Sequence, residues 1–119
     1  MDFKTDRPIF RQIVDLCHAR ILQGIWQPGG KVPSVRELAV ELTVNTHTVL
    51  KAFDMLQGEG VIMSRRGLGF FLADDAGARV LEARRREFYD TTLRDVFDEM
   101  ATLRIGIDDI VARYKARGK

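Results

Sequence analysis

From Gly24 to Leu72 the chain runs through an unbroken series of helix, turn and strand signals, and this series constrains the fold more than any bulk property. Ser34-Val35-Arg36-Glu37 has the spacing of a capping box: the Ser34 hydroxyl accepts from the Glu37 amide while the Glu37 carboxylate reaches back to the Ser34 amide. A helix is therefore expected to start after Pro33 and run to about Leu42, with Val35, Leu38, Ala39 and Leu42 inward. Thr43-Val44 makes a turn. Asn45 is suited to cap a second helix in which Val49, Ala52, Phe53 and Leu56 share one side, and Gly58 and Gly60 end it. Val61-Ile62-Met63 and Phe70-Phe71-Leu72 are short β-prone runs joined through Arg65-Arg66-Gly67-Leu68-Gly69, the pattern of a hairpin.

The flanks read as helices. Pro8 suits the opening turn of a first helix, with Thr5 or Asp6 as cap, and Ile9, Ile13, Leu16, Cys17, Ile21 and Ile25 recur at helical spacing as one buried stripe. Gly24 and Pro28-Gly29-Gly30 stop it, and Trp26 is expected to pack over the helix ends. His18 is expected to be an ordinary surface residue. Beyond Asp74-Asp75-Ala76-Gly77 the composition shifts to Ala, Arg and Glu with scattered large apolar residues, so a long helix is expected from about Ala78 to Arg104. Gly106 would supply a left-handed stop, and Asp108 would cap a last helix holding Ile110, Val111 and Tyr114, folded back as a hairpin. The expected fold is mainly α with a small β-hairpin wing: a winged helix-turn-helix over residues 1–74 and a helical domain over residues 75–119.

Composition narrows the class without naming a partner. With 45% apolar and 30% charged residues the chain is neither disordered nor membrane-like, and 119 residues suffice for one principal core with a small appendage. No apolar run approaches the ~18 residues of a membrane span. MDFKTDRPIF has no basic region leading into an apolar stretch, so no secretory signal is read there and the cytoplasm is the expected compartment. The single Cys17 lies on an apolar helical pattern and is expected to be a small buried side chain rather than a redox sensor. Net charge is only +2 and divides almost evenly along the chain, so a nucleic-acid partner must be argued from local placement. There is no nucleophile–histidine–acid set, metal-spaced cluster or phosphate loop, so neither an enzyme nor a cofactor or metal is expected.

Local placement points to double-stranded DNA. In a helix-turn-helix the second helix enters the major groove by its N-terminal end, which here presents Asn45, Thr46, His47 and Thr48, with Leu50 and Lys51 one turn on. Asn45 and Thr48 also serve as helix-start residues, and capping is compatible with contact because an open helix N-terminus attracts phosphate. Ser34 and Arg36, at the start of the preceding helix, face the same groove edge, where a guanidinium can clamp phosphate oxygens. Arg65 and Arg66 precede the wing glycines, so they can approach the phosphates or minor groove while Gly67 and Gly69 let the backbone come close.

These residues resemble the GntR family of bacterial transcription regulators. The resemblance rests on Pro28-Gly29, Pro33-Ser34-Val35-Arg36-Glu37-Leu38-Ala39, Leu42, Val44, Thr48-Val49, Ala52, Leu56, Gly60 and Arg66-Gly67-Leu68-Gly69-Phe70-Phe71, and spans about residues 8–72. Val32 stands for the usual leucine and Phe70 for a small wing residue, while Thr46 and Leu50 occupy places where many members have arginines. The short tail looks like that of the YtrA subfamily, which implies dimerisation rather than a large effector pocket. The resemblance implies a homodimer on a two-fold symmetric operator, with contacts from Arg36, Asn45, Thr46, His47, Thr48, Gly67 and Gly69.

The tail supports pairing on its own pattern. Leu81, Phe88, Val96, Met100 and Leu103 lie along one side of the long helix with Tyr89, Leu93 and Phe97 beside them, an apolar band wider than a return helix of ~10 residues could cover. Arg84-Arg85-Arg86 reads as a solvated face. A sequence-specific repressor, dimeric on a palindromic operator, is the expected function, and a winged-helix protein-interaction module without specific DNA readout is the alternative. A small effector bound between the tail helices is compatible with the pattern, but no residue names one.

Overall fold

The computed structural model describes Phe3 and residues 7–118, and Thr5 and Asp6, the expected caps of the first helix, lie outside them. Helix α1 (Ile9–Leu22) starts directly after Pro8, whose ring presets the φ of −56° found at the N-cap. It buries Ile13, Val14, Cys17 and Ile21 together with two polar residues, Gln12 and His18. The stripe read from the sequence is thus shorter than expected: Leu16 is half-buried, Ile9 and Ile25 are exposed, and Ile25 lies past the helix end. Trp26 is buried just beyond that end, as expected.

His18 corrects the surface reading. Its ring is 3% exposed and Nε2 lies 2.8 Å from Oε1 of Glu59. With Nε2–H donating to the carboxylate, Nδ1 is buried and has no hydrogen-bond partner among the described residues. A buried imidazole is tolerated because its donor is matched by an anion 41 residues away, a partner that local periodicity cannot reveal.

Helix α2 (Val35–Leu42) buries Leu38, Ala39 and Leu42, and α3 (Thr46–Gly58) buries Val49, Ala52, Phe53 and Leu56. Both α1 and α2 pack on α3. Cys17 lies in this core, and burial pushes its thiol up to about 12, which removes the thiolate a redox sensor needs.

Four helices end in one motif, in which the amides of two successive residues bond back to carbonyls three and five positions earlier. After α3 the Gly60 amide donates to the Gln57 carbonyl at 2.9 Å and the Val61 amide to Leu56 at 3.0 Å. The same pair of bonds closes α1 at Gly24 and Ile25, and α2 at Thr43 and Val44. The left-handed position is glycine in α1 and α3, but in α2 it is Thr43, at φ 56°. A β-branched residue is strained there, and the tight turn between the two motif helices depends on it.

Strands β1 (Ile62–Arg65) and β2 (Gly69–Leu72) pair antiparallel with Ile62 opposite Leu72 and Arg65 opposite Gly69. The segment after Pro28, expected only to stop α1, also lines β2. Gly29 donates to the Leu72 carbonyl at 2.9 Å, Leu72 donates to Gly30 at 2.8 Å, and Val32 donates to Phe70 at 3.0 Å. Phe70 meets Phe53 edge to face at 5.0 Å, which ties the hairpin to α3.

Helix α4 (Ala76–Glu87) starts two residues earlier than expected and sends Ala76 and Val80 into the same core. The chain divides into two compact units, Met1–Ala83 and Arg84–Lys119, and α4 passes from the first into the second. In the second unit the expected uninterrupted helix is broken by a π-helical turn, Phe88–Thr92, closed by the Leu93 amide on the Phe88 carbonyl. Helix α5 (Leu93–Leu103) follows. The extra residue in that turn changes the phase of everything after it. With that extra residue Phe88 comes into line with Leu93, Phe97 and Met100, whereas an unbroken helix would keep those three on one face and turn Phe88 away from them. Arg104, at φ 58°, takes the left-handed position expected of Gly106. Gly106 instead has extended backbone and is the N-cap of α6 (Ile107–Ala116), so Asp108 sits in the first turn rather than at the cap. Among the described residues no helix is long and apolar enough to cross a membrane.

Two left-handed positions make opposite predictions. Thr43→Gly relieves the strained backbone and is expected to raise unfolding free energy by about 0.5–1 kcal/mol in urea titration. Gly60→Ala, which puts a Cβ at φ 73° and 2.5 Å from Nη1 of Arg79, is expected to lower it by about 1 kcal/mol or more. A loss of stability in the first variant would show that the Thr43 side chain holds the turn.

Candidate nucleic-acid interface

Three short exposed segments carry the residues singled out by sequence, and each is fixed by a backbone device. At the start of α2 the capping box is complete: the Glu37 amide donates to Ser34 Oγ at 3.0 Å and the Ser34 amide to Glu37 Oε1 at 3.0 Å. The Ser34 amide, then its hydroxyl, and more weakly Lys31, hold the Glu37 carboxyl below the usual glutamate range. Ser34 is half-buried by these contacts, while Arg36 projects into solvent from the first turn.

At the start of α3 the Asn45 side chain accepts from the His47 amide at 2.8 Å. The cap fixes the direction of the first turn, and the buried stripe behind it decides which side chains face out. Thr46 and His47 are exposed and Thr48 is half-buried. Leu50, Lys51 and Asp54 continue the outer face. The Lys51 ammonium lies 4.2 Å from the centre of the Phe10 ring of α1, so its charge is steadied by an aromatic face while still exposed.

The wing tip is Arg66-Gly67-Leu68. The Leu68 amide closes on the Arg65 carbonyl at 2.9 Å and Gly67 takes φ 75°, which only glycine adopts without strain. Arg65 stacks its guanidinium 4.4 Å over the Phe71 ring, and Arg66 is exposed. Gly69 is pressed by Lys31: a Cβ there would come 3.1 Å from Lys31 Cε. Sequence reasoning missed Lys31 as a wing cation. Its bridge to Phe71 sets it beside β2, and the only sequence signal for that is the extended Lys31-Val32-Pro33 stretch after two glycines.

In the tail Leu81, Phe88, Tyr89, Val96, Phe97 and Leu103 are all exposed, and Leu93 and Met100 are half-buried. Phe88 and Tyr89 meet edge to face at 5.4 Å. An open cleft of about 550 Å³ along α6 is lined by Ile105, Asp109, Ile110, Ala112 and Arg113.

A capped helix, a left-handed turn, a second capped helix with an exposed leading edge and a glycine-tipped hairpin together define a winged helix-turn-helix. The chain belongs to the gntR family of bacterial regulatory proteins, whose profile matches residues 10–72. That family consists of regulators rather than enzymes. The chain is 38% identical over 84 residues to the HTH-type transcriptional repressor YtrA of Bacillus subtilis (strain 168), a match covering 71% of this chain and 65% of the repressor. It thus spans less than two thirds of that relative's length. Among solved structures it is similar to a GntR family transcriptional regulator from Listeria monocytogenes, with TM-score 0.73, 34% identity and coverage of 95% of this chain and 97% of that one. It is also similar to AraR(DBD) in complex with operator ORX1, with TM-score 0.57, 30% identity and coverage of 60% of this chain and 93% of that one.

The capping box carries a pH signature. Because the folded-state pKa of Glu37 is depressed, its carboxylate adds stability that is present above the ordinary glutamate pKa and is lost as pH falls through the lowered value. Urea melts of wild type and Glu37→Gln are expected to differ at neutral pH and to converge on acidification. A difference that stayed constant across that range would remove the ionic part of the cap.

Proposed function

We propose that the chain is a transcriptional repressor that binds a palindromic DNA operator as a homodimer in the bacterial cytoplasm. The observation that carries this reading is the two-sidedness of α3: Val49, Ala52, Phe53 and Leu56 are wholly buried, while Thr46 and His47 stand exposed beside a capped N-terminus. Such a helix has its register set by the core and its leading edge free for a groove.

In this reading Thr46, His47 and Thr48 address base edges and nearby phosphates, and Asn45 holds the helix start against the backbone. Ser34 and Arg36 clamp a phosphate at the start of α2, and Lys51 adds charge to the backbone contact. Arg65 and Arg66 follow the phosphates or the adjacent minor groove, with Gly67 and Gly69 allowing the wing to approach. The operator named with the similar AraR domain supports the assignment of DNA as partner.

Pairing would come from the tail, as residues 75–119 carry the dimerisation function and residues 1–74 the DNA-binding function. Leu81, Phe88, Tyr89, Leu93, Val96, Phe97, Met100 and Leu103 would form the shared surface. Support lies in their exposure in a single chain: six large apolar side chains at 40–60% exposure exceed what scattered surface leucines explain. A two-fold pair of reading helices would call for half-sites about one helical turn apart.

Fluorescence anisotropy on a palindromic promoter duplex tests the proposal. Arg36→Ala and Thr48→Ala are each expected to weaken binding by about 1–3 kcal/mol with an unchanged fold. Sedimentation is expected to give a dimer that Phe97→Asp dissociates. Equal affinity for random duplex at moderate salt would leave an interaction module, and a monomer at every concentration would remove the symmetric operator.

A further inference from the structure

The outer face of α3 has an unusual chemistry for a groove reader. Along it run Thr46, His47, Leu50, Lys51 and Asp54, and the helix holds no arginine at all. Its one lysine is drawn toward α1, with the ammonium 4.2 Å from the Phe10 ring centre. Asp54, one turn beyond Leu50, is anionic and repels phosphate, so it marks the far limit of any contact surface. What remains at the centre is a hydroxyl, an imidazole and an isobutyl group.

Leu50 is the side chain in this set that the fold does not use. The core side of α3 is filled by Val49, Ala52, Phe53 and Leu56, all at 0% exposure, whereas Leu50 is 43% exposed one helical turn from Thr46 and His47. An exposed leucine alone means little, since many surface residues are apolar. Its position is the informative part: it stands in the row of side chains that would meet base edges. An isobutyl group neither donates nor accepts a hydrogen bond. In the major groove the one base-edge group it matches is the C5-methyl of thymine.

We propose that Leu50 is a specificity-determining residue that selects an A·T pair in each operator half-site by packing against a thymine methyl group. This rests on the proposed function above, because it requires α3 to enter the major groove. The discrimination is apolar: a cytosine at that position offers no methyl, and a guanine offers acceptors that Leu50 cannot meet.

The test starts from a random duplex library passed over the purified full chain, followed by sequencing of the enriched fragments. Each thymine of the enriched site is then replaced singly by deoxyuridine, which deletes only the methyl group. One thymine per half-site is expected to show a loss of about four-fold in affinity, the worth of one buried methyl group. In Leu50→Ala the same replacement is expected to change affinity by less than about 1.5-fold, since the contacting surface is gone. Because Leu50 lies outside the core, unchanged thermal melting will show that the variant is folded. Enriched sites with no methyl-sensitive thymine, or a sensitivity that survives in Leu50→Ala, would overturn this inference and leave the proposed function standing. A library that yields no enriched sequence would overturn both.

Discussion

The seam that α1 and α2 make with α3 governs everything else in the winged unit. Val49, Ala52, Phe53 and Leu56 lock α3 by one stripe, against a core that includes Ile13, Val14, Cys17 and Ile21 of α1 and Leu38, Ala39 and Leu42 of α2. Interiors packed at near-crystalline density do not tolerate rotation of such a stripe, because a turn of one residue would drive Thr48 or Leu50 inward and expose Val49 or Phe53. The identity of the outward residues is therefore a consequence of the inward ones. A change in core packing would alter which side chains face a partner before it altered the fold.

Orientation also needs the helix ends to be fixed, and here polar groups do what apolar packing cannot. Asn45 sets the start of α3, and at its far end Glu59 is held by His18 from α1. Next to it Arg79 crowds Gly60 from the first turns of α4 while pairing with Asp75 at 3.1 Å. The exit of α3 is therefore gripped from both neighbouring segments of the chain. The His18 pair is directional: a leucine at that position would bury as much surface but could not specify where the α3 terminus must sit. Its Nδ1, unpartnered among the described residues, is the cost of placing a polar ring in an apolar setting.

Much of this was legible in the sequence, and the residues explain why. Signals that act within a few positions were read correctly: the Ser34 and Glu37 box, the Asn45 cap, the buried stripes of α2 and α3, and the glycine-tipped hairpin. Failures arose where a distant partner or a backbone irregularity decided the outcome. His18 is buried because Glu59 arrives from elsewhere, and the Gly29-to-Val32 segment lines β2 through hydrogen bonds that no local pattern announces. Thr43 and Arg104 occupy left-handed positions that propensity assigns to glycine. Within the tail the π turn carries no strong signature of its own, yet it re-phases Leu93, Phe97 and Met100 relative to Phe88. A straight-helix reading therefore puts the side chains beyond the turn out of phase with Phe88.

The charge pattern fits a reader whose affinity is not bought with bulk electrostatics. With 19 basic and 17 acidic side chains the molecule has little net attraction for a polyanion. Three cations near α3 and the wing are instead held in place. Lys51 sits over Phe10, Arg65 over Phe71, and Lys31 against the backbone of Gly69. A long side chain already resting on an aromatic face has less rotamer freedom left to lose when it meets a phosphate, so each held cation contributes more to a specific complex than a freely mobile one. In the proposed operator complex, low net charge would lower the non-specific background while fixed cations would sustain the specific contact.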